Sequence, residues 1–286
     1  MARKTVVITG ARTEVARAAA VAMARSGARV VLVSSSATAS AARDEVIKRG
    51  GSSEVHLLVA NMSLQTSVRE LARQINQTWG AVSALVHHGA HHDLRNPKRE
   101  VTSEGFERFW AHNQLGPFLL THLLRDALIK GHGRVVTVGS TRLKVYPRLT
   151  VDITDPNFNG RSYSPTRAFY QSKIAQIQFA LAFARHWGGT NVTAKAVCVP
   201  SVGADTVRRG KLPWYRRLAH STAGQGRTTP RKIGELYTVL ALSPKAPKIA
   251  GLYLDRDLHD AWAPPGVWDT AAQDTVWKVT AAAVGL

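Results

Sequence analysis

The stretch KTVVITGARTEVARAAAVAMARSGARVVLV, residues 4–33, decides the fold class of this chain. It predicts a short strand over residues 5–9, a helix over residues 14–26 that ends at Gly27, and a second strand over residues 29–33. Uninterrupted runs of Val, Ile and Leu are typical of strands that are buried on both faces of a sheet. The order strand, helix, strand therefore predicts a βαβ unit with parallel strands.

The same alternation continues to the end of the chain. Further strands are predicted at residues 55–60, 84–88, 133–139, 192–199 and 249–254. Further helices are predicted at residues 39–49, within 106–130, and at 67–79, 168–186 and 233–242. Right-handed crossovers give a doubly wound, Rossmann-like parallel sheet in a three-layer α/β/α architecture. We expect residues 1–286 to form a single domain, in which residues 144–166 and 202–229 form a rim or lid around the site.

The composition is that of an ordered and strongly basic protein. Of 286 residues, 44% are hydrophobic, and 38 Lys and Arg against 19 Asp and Glu give a net charge of +19. The basic residues are scattered and no nucleic-acid-binding motif accompanies them, so nucleic acid is not a predicted partner. Two interpretations stay open: a surface that aids solubility, or attraction of an anionic partner such as a phosphate-bearing cofactor or a substrate on an acidic carrier protein.

The single cysteine and the amino-terminal segment indicate the cellular setting. Cys198 lies in the apolar run AKAVCVP and is predicted to be a small buried hydrophobe. A chain that cannot form an internal disulfide fits a reducing, cytoplasmic location. The segment MARKTVVITG is too short for a signal peptide, and no segment has 18 uninterrupted apolar residues, so we expect a soluble protein without a membrane span.

A tyrosine and a lysine form the strongest candidate for a chemical site. Tyr170 and Lys173 lie three residues apart in YQSK and share one face of a predicted helix. A nearby ammonium lowers the pKa of a tyrosine, so Tyr170 could exchange a proton near neutral pH. Ser140 directly follows the fifth predicted strand, and Asn113 interrupts an otherwise apolar helix segment. These residues predict an acid–base centre.

These motifs and their order resemble the short-chain dehydrogenase/reductase family. The run YSPTRAFYQSKIAQIQFALAFA, the GLYL of residues 251–254 and the tail DTAAQDTVWKVT look like its retinol-dehydrogenase-like branch. The resemblance implies that Tyr170 exchanges a proton with a substrate oxygen that Ser140 holds. It implies that Lys173 binds the nicotinamide ribose and that Asn113 orders a proton relay. It also implies a nicotinamide cofactor and a homodimer or homotetramer.

The turn after the first strand resembles the family's TGxxxGxG loop, with departures. Thr9 and Gly10 match, whereas Glu14 and Ala16 replace the later two glycines. The Glu14 carboxylate could repel a pyrophosphate, turn outward, or occupy the anion site at the helix N-terminus. Residues of this turn that are predicted to bind the cofactor are Gly10, Arg12, Thr13, Glu14 and Val15.

The ends of the second and third strands are also predicted to bind the cofactor. Ser34 and Ser35 follow the second strand, where no carboxylate is present and where Arg12 or Arg43 could reach a phosphate. This pattern favours NADP(H) over NAD(H). Asn61 and Met62 stand where the family has Asp-Leu beside the adenine.

Two later loops depart further from the family. LVHHGA, residues 85–90, stands in place of LVNNAG, with His88, Gly89 and Ala90 predicted at the cofactor. The histidines at 87, 88, 91 and 92 have no carboxylate or cysteine positioned with them, so no metal site is predicted. In the loop after the sixth strand the residues predicted to contact the cofactor are Pro200, Ser201, Val202 and Thr206.

Three functions stay open, of which the first is favoured. It is an NAD(P)-dependent oxidoreductase for a bulky lipophilic ketone, aldehyde or alcohol, including those of secondary metabolism. Residues predicted to line its substrate site are Leu143, Tyr146, Tyr163, Trp214 and Tyr215. The second is a cyclase, dehydratase or isomerase that kept the acid–base residues and whose cofactor binding is weak or lost. The third is a non-catalytic binding protein, against which the complete acid–base set argues.

Overall fold

The computed structural model describes residues 3–200 and 228–286. Within them seven strands form one sheet: β1 Thr5–Thr9, β2 Arg29–Ser34, β3 Val55–Val59, β4 Ala84–His87, β5 Arg134–Ser140, β6 Thr193–Val199 and β7 Leu252–Leu254. Their order is β3-β2-β1-β4-β5-β6-β7, and every neighbouring pair is parallel. The predicted doubly wound sheet is confirmed.

Helices cover both faces of this sheet. They are α1 Glu14–Arg25, α2 Ser40–Gly50, α3 Gln65–Thr78, α4 Arg108–Trp110, α5 Gly116–Leu123, α6 Arg125–Lys130, α7 Pro165–His186, α8 Pro230–Leu242 and α9 Thr270–Ala283. Alternate residues of β1 point to opposite sides, because Val7 joins one buried cluster while Val6 and Ile8 join the other. The two clusters lie in the two interfaces of a three-layer α/β/α domain. None of the helices in the described residues is long and apolar enough to cross a membrane.

The first βαβ unit forms for reasons that are visible in its residues. Thr13 caps α1, because its Oγ1 accepts a hydrogen bond from the amide of Ala16 at 3.1 Å. Gly27 follows the helix with a φ of 83°, a left-handed conformation that glycine adopts without strain. The chain then returns to pair Val30 of β2 with Val6 of β1.

Two element predictions need correction, and one helix was not predicted. The long helix expected within residues 106–130 is divided, because a π-helical turn at Ala111–Leu115 separates α4 from α5 and Leu124 separates α5 from α6. The strand expected at residues 249–254 begins only at Leu252, after Gly251 with a φ of 78°. The helix α9 was not predicted, although Asp269 caps it by accepting from the amide of Ala271 at 2.9 Å.

Helix α9 covers parts of α5 and α7. Its Trp277 stacks on His186 of α7 with ring centroids 4.1 Å apart and meets Phe118 of α5 edge-on at 5.0 Å. Phe179 of α7 lies against the same indole at 5.4 Å. These aromatic contacts bury one side of the helices that carry the candidate site.

Candidate active site

Two glycines bring the carboxyl ends of β1 and β4 into contact. Gly10 has a φ of 82°, and a Cβ on it would lie 2.7 Å from the Cα of Gly89. The amide of Gly89 donates to Oγ1 of Thr9 at 2.9 Å, which fixes this approach. Only glycine fits at both positions. The strand order reverses between β1 and β4, and the crevice outside the carboxyl ends of such strands is the place in an α/β sheet at which ligands commonly bind.

The N-terminus of α1 faces this crevice with free amide groups. Thr13 accepts from Ala16 through its side chain and from Arg17 through its carbonyl, at 3.1 Å each. Within the described chain the amides of Glu14 and Val15 donate to no protein acceptor. Such amides, together with the positive end of the helix dipole, suit a phosphate.

Glu14 and Ala16, which replace the family's later two glycines in this turn, have different surroundings. Ala16 is fully buried in the core cluster beneath α1, so its methyl group is accommodated. Glu14 is exposed, and within the described residues its carboxylate forms no hydrogen bond or ion pair. Of the three alternatives for Glu14, the structure has the side chain turned outward. The amide sites of the helix are therefore not filled by its own carboxylate.

The serines at the end of β2 carry no charge. Ser34 is buried and its Oγ accepts from the amide of Ser36 at 3.3 Å, whereas Ser35 is exposed. Arg12 is exposed near this strand end, but Arg43 pairs with Asp44 at 2.7 Å. Arg12 is therefore the better candidate for a phosphate contact.

Asn61 shapes the turn after β3. Its side-chain Oδ1 accepts from the backbone amide of Ser63 at 3.0 Å, and its backbone amide donates to Oγ of Ser67 at 2.9 Å. Met62 is buried, and its carbonyl lies so close to Gly116 that a Cβ there would be 2.1 Å from the oxygen. The side-chain carbonyl oxygen of Asn61 keeps one lone pair for a ligand.

The two histidines that replace the family's asparagines have different environments. Thr121 donates to the carbonyl of Pro117 at 2.8 Å, so its Oγ1 accepts from Nε2–H of His87 at 2.9 Å. Burial lowers the pKa of His87 to about 3. His88 pairs through Nδ1 with the hydroxyl of Tyr237 at 2.9 Å, and burial, then the nearby Lys173, lower its pKa to about 4. Both imidazoles are neutral at pH 7.

His91 and His92 have other neighbours again. His91 lies against Phe109 at 5.0 Å, and His92 meets Phe169 edge-on at 4.8 Å. Ala90, which precedes them, is exposed. In the described residues no group of three His, Cys, Asp or Glu side chains converges as metal ligands would.

Asn113 joins the loop after β4 to helix α7. It is fully buried in the π-helical turn, and its Oδ1 accepts from the amide of His91 at 2.9 Å. Its Nδ2 donates to the carbonyl of His91 at 3.3 Å and to Oγ of Ser172 at 3.0 Å. The Asn113 side chain therefore contacts both the backbone amide and the backbone carbonyl of His91.

Packing of α7 across β5 brings Ser140 and Tyr170 to the same edge of the sheet. Oγ1 of Thr137 donates to the carbonyl of Gln176 at 3.2 Å, which fixes the register of the two elements. Ser140 lies about 10 Å farther along β5 at roughly 3.3 Å per residue. Tyr170 lies about 9 Å before Gln176 at roughly 1.5 Å per residue. Because α7 runs antiparallel to the strands of its βαβ unit, both displacements lead to the carboxyl edge.

Lys173 is buried one helical turn from Tyr170. It is 4% exposed, and its Nζ donates to Oε1 of Gln176. Burial lowers the pKa of the amine to about 7. The sequence interpretation missed Gln176, although a glutamine in the apolar run IAQIQF was a signal that could have found it. Its buried Nε2 has no hydrogen-bond partner among the described residues.

Tyr146 and Tyr163 belong to the part of the predicted rim that the structure describes. Tyr146 packs on Tyr170 with ring centroids 4.8 Å apart, and Leu143 is fully buried. Tyr163 donates to Oε1 of the buried Glu107 at 3.0 Å. A cleft of about 430 Å³ separates residues 148–153 from the first turns of α7.

Of the residues predicted in the cofactor loop and the substrate site after β6, the structure describes one. Pro200 is half-buried after β6. The others lie outside the described residues: Ser201, Val202, Thr206, Trp214 and Tyr215. Most of the predicted lid, residues 202–229, lies there too.

Known proteins resemble both the sequence and the fold. Residues 4–151, over half of the chain, match the family model of the short chain dehydrogenases. The chain belongs to the short-chain dehydrogenase/reductase family. This short-chain dehydrogenase/reductase is 33% identical to mouse (Mus musculus) polyprenol dehydrogenase, with 95% of this chain and 81% of that protein covered. It is 28% identical to mouse retinol dehydrogenase 14, with 99% and 86% covered.

These relatives place the chain in the retinol-dehydrogenase-like branch of its family. A short chain dehydrogenase from Salmonella enterica subsp. enterica serovar Typhi str. CT18 has the same fold, with a TM-score of 0.65 at 17% identity, over 89% of this chain and 96% of that one. The chain is therefore an enzyme of the dehydrogenase/reductase type, and its family implies a nicotinamide cofactor.

Proposed function

We propose that this protein is an NADP(H)-dependent oxidoreductase that interconverts a bulky lipophilic alcohol and its ketone or aldehyde. The observation that carries the proposal is the register of α7 on β5, fixed by the Thr137–Gln176 hydrogen bond. It supports a shared position for Ser140 and Tyr170 at the crevice, with the buried Lys173 amine beside them.

The proton chemistry would be divided among four side chains. Tyr170 would give a proton to a substrate carbonyl oxygen, or take one from an alcohol, while Ser140 would donate a hydrogen bond to the same oxygen. A positive Lys173 would favour the tyrosinate, and its pKa of about 7 allows it to gain or lose a proton near neutrality. Asn113 would hold the His91 loop against α7, so that the relay keeps its geometry.

The residues present fit a dinucleotide. Gly10 and Gly89 carry no side chain over the two strand ends, and the free amides of Glu14 and Val15 suit its pyrophosphate. Arg12 would contact the 2′-phosphate beside the neutral Ser34 and Ser35, which favours NADP(H). The nicotinamide supplies or accepts the hydride when it is bound.

The substrate class rests on the relatives and on the rim. Two relatives are named for retinol and polyprenol, which are long apolar alcohols. In this chain Tyr146 lies over Tyr170 and offers an aromatic surface for such a molecule. A homodimer or homotetramer stays the expectation for self-association. Surfaces of α5 and α7 that pack on α9 are not open to a second copy, so other faces would form the interface.

A non-redox member of the family is the second candidate. It is favoured by the exposed carboxylate of Glu14 at the phosphate-binding turn and by the use of Asn61 Oδ1 within its own turn. Such an enzyme would use Tyr170 as a general acid without hydride transfer.

Cofactor titration separates the two candidates. We expect NADPH to raise the melting temperature and NADH to do so less, because a ligand at 100 times its Kd stabilises a protein by about 2.7 kcal/mol. Arg12→Ala should weaken NADPH binding about tenfold and leave NADH unchanged, since only NADPH carries the 2′-phosphate. Arg231→Ala on α8 serves as the charge control. No shift with either nucleotide at millimolar concentration would exclude the redox function.

Replacement of the tyrosine tests the acid–base role. We expect Tyr170→Phe to lower kcat for reduction of an aromatic or isoprenoid aldehyde at least a thousandfold, because the proton donor is lost while the ring remains. Binding of NADPH should persist, which shows that the variant is folded. Tyr146→Phe, which removes a neighbouring hydroxyl, is the matched control. A Tyr170→Phe variant with normal turnover would disprove the role of Tyr170.

A further inference from the structure

A second concave site lies at the edge of the sheet opposite the candidate active site. It is a cleft of about 540 Å³ at the amino ends of the strands, beside the first residues of β1, β2 and β5. The basic side chains that line it are Arg3, Lys4, Arg29, Lys130, His132 and Arg134. Its volume is within the range of sites for small ligands.

The charge of this cleft is strongly unbalanced. Five Lys and Arg side chains line it, and no acidic side chain does so in the part of the chain that the structure describes. Glu54 approaches from outside the lining and pairs with Arg3 at 2.7 Å and with Arg29 at 2.8 Å. One carboxylate against five cations leaves a positive field in a concave surface, where low-dielectric walls focus it.

Neutral acceptors hold two of these cations in place. Nη1 of Arg134 donates to the carbonyl of Ser243 at 2.6 Å, and Nζ of Lys4 donates to the carbonyl of Leu242 at 3.3 Å. Carbonyl oxygens orient the side chains without cancelling their charge. Lys130 is exposed in the last turn of α6 and forms no ion pair within the described residues.

A buried lysine adds to the positive charge. Arg134 and Thr193 are paired residues of β5 and β6, and Lys195 follows two residues later on the same face. Lys195 is 2% exposed, and its Nζ reaches Oγ1 of Thr193 at 3.3 Å. Burial, then the charge of Arg134, lower its pKa to about 8. An anion in the cleft would relieve this repulsion.

We propose that the cleft at the amino edge binds the phosphate group of a small phosphorylated molecule or of a lipid headgroup. A phosphate carries up to two charges and three acceptor oxygens, which match several converging cations. The guanidinium forks of Arg3, Arg29 and Arg134 suit its geometry better than ammonium groups alone. Trp79 forms part of the lining and offers an aromatic surface beside the phosphate position. The site does not depend on the proposed oxidoreductase function, because its residues lie at the other end of the strands.

Calorimetric titration of the full chain with inorganic pyrophosphate tests this site. We expect saturable binding that weakens at least tenfold in Arg3→Gln/Lys130→Gln and changes less than twofold in Lys48→Gln/Lys278→Gln. The control pair removes the same net charge from exposed positions on α2 and α9. Arg134 is left intact because it also bonds the end of α8. Lys130→Gln alone should weaken binding in the same direction, which keeps the test valid if the double variant is unstable.

The outcomes separate the sources of phosphate and can overturn the proposal. Cosedimentation with phosphatidic acid vesicles, absent with phosphatidylcholine and lost in the cleft variant, supports a lipid headgroup. Pyrophosphate binding without cosedimentation supports a soluble phosphorylated molecule. Binding that weakens equally in the cleft and control variants, or that weakens in neither, would place the anion elsewhere, for example at the N-terminus of α1, and overturn the proposal. Absence of saturable binding to either probe would overturn it as well.

Discussion

At the scale of single residues, Lys173 is costly to bury in the candidate site. An ammonium that is 4% exposed loses most of its hydration, and the described contact that compensates it is the carbonyl oxygen of Gln176. The lowered pKa of about 7 is the measure of that loss. A protein that only needed stability would place an apolar side chain here, so the buried amine indicates a functional requirement.

The pH dependence of stability should reveal this lysine. Its pKa is about 7 in the folded chain and about 10.5 in the unfolded chain, so the unfolded state binds the extra proton between these values. The buried amine therefore destabilises the fold at pH 6, and this destabilisation decreases as the pH rises to 10. Relative to Lys173→Met, we expect the wild-type free energy of unfolding to increase by about 3 to 4 kcal/mol over this range.

Urea denaturation of both proteins at pH 6, 8 and 10 measures the difference. Lys278→Met, at an exposed position of α9, is the control and should follow the wild type. A constant difference between wild type and Lys173→Met would mean that the amine is not desolvated.

At the scale of elements, one glycine determines how close α5 and the π-helical turn before it come to the loop after β3. Gly116 begins α5 directly after the π-helical turn, and a Cβ there would lie 2.1 Å from the carbonyl oxygen of Met62. The obstacle is backbone, which cannot rotate away. Any side chain at this position must push α5, and with it Asn113, from the loop after β3.

Gly116→Ala should therefore destabilise the chain despite the better helix propensity of alanine. The propensity gain is about 1 kcal/mol, whereas a forced backbone shift costs about 1 to 3 kcal/mol or more. We expect a net loss of up to a few kcal/mol in thermal denaturation. NADPH binding should weaken too, because Met62 is predicted to lie at the cofactor. Gly160→Ala, whose nearest atom would be 4.0 Å away, is the matched control. Equal stability of the two variants would contradict the argument.

At the scale of the whole molecule, buried histidines link the fold to pH. Burial is the main cause that lowers the pKa of His87 to about 3 and the pKa values of His88, His112 and His122 to about 4. In the unfolded chain each takes up a proton below about pH 6.5. The folded state therefore loses stability as the pH falls from 6.5 towards 4.

Acid denaturation should consequently begin at a mildly acidic pH. Each of these histidines contributes about 1.4 kcal/mol of lost stability per pH unit in that window. We expect the free energy of unfolding to fall steeply between pH 6.5 and pH 4.5 in urea titrations. His87→Asn should flatten the slope by one histidine's share, because asparagine does not titrate. An unchanged slope would show that His87 is protonated in the folded chain.

The sequence by itself determined the βαβ alternation, the parallel sheet and the strand ends at which Gly10, Ser140 and Asn61 stand. These are local properties, because burial of a strand, the start of a helix and the need for glycine are written in neighbouring residues. It also paired Tyr170 with Lys173, since helix residues three positions apart lie on the same face. The long helix expected within residues 106–130 is divided by the π-helical turn at Ala111–Leu115, where Asn113 bonds to His91 and Ser172, two partners that its neighbouring residues do not specify.

Only the tertiary structure decided which distant residues meet. Gln176 lies beside Lys173, the glycines Gly10 and Gly89 touch, and α9 covers α5 and α7, although no sequence spacing specifies these contacts. The basic cleft exists for the same reason, because the starts of β1, β2 and β5 and the end of α6 meet only in the folded sheet. Hydrophobic periodicity fixes the inward face of each element, whereas the packing of side chains between elements fixes their register.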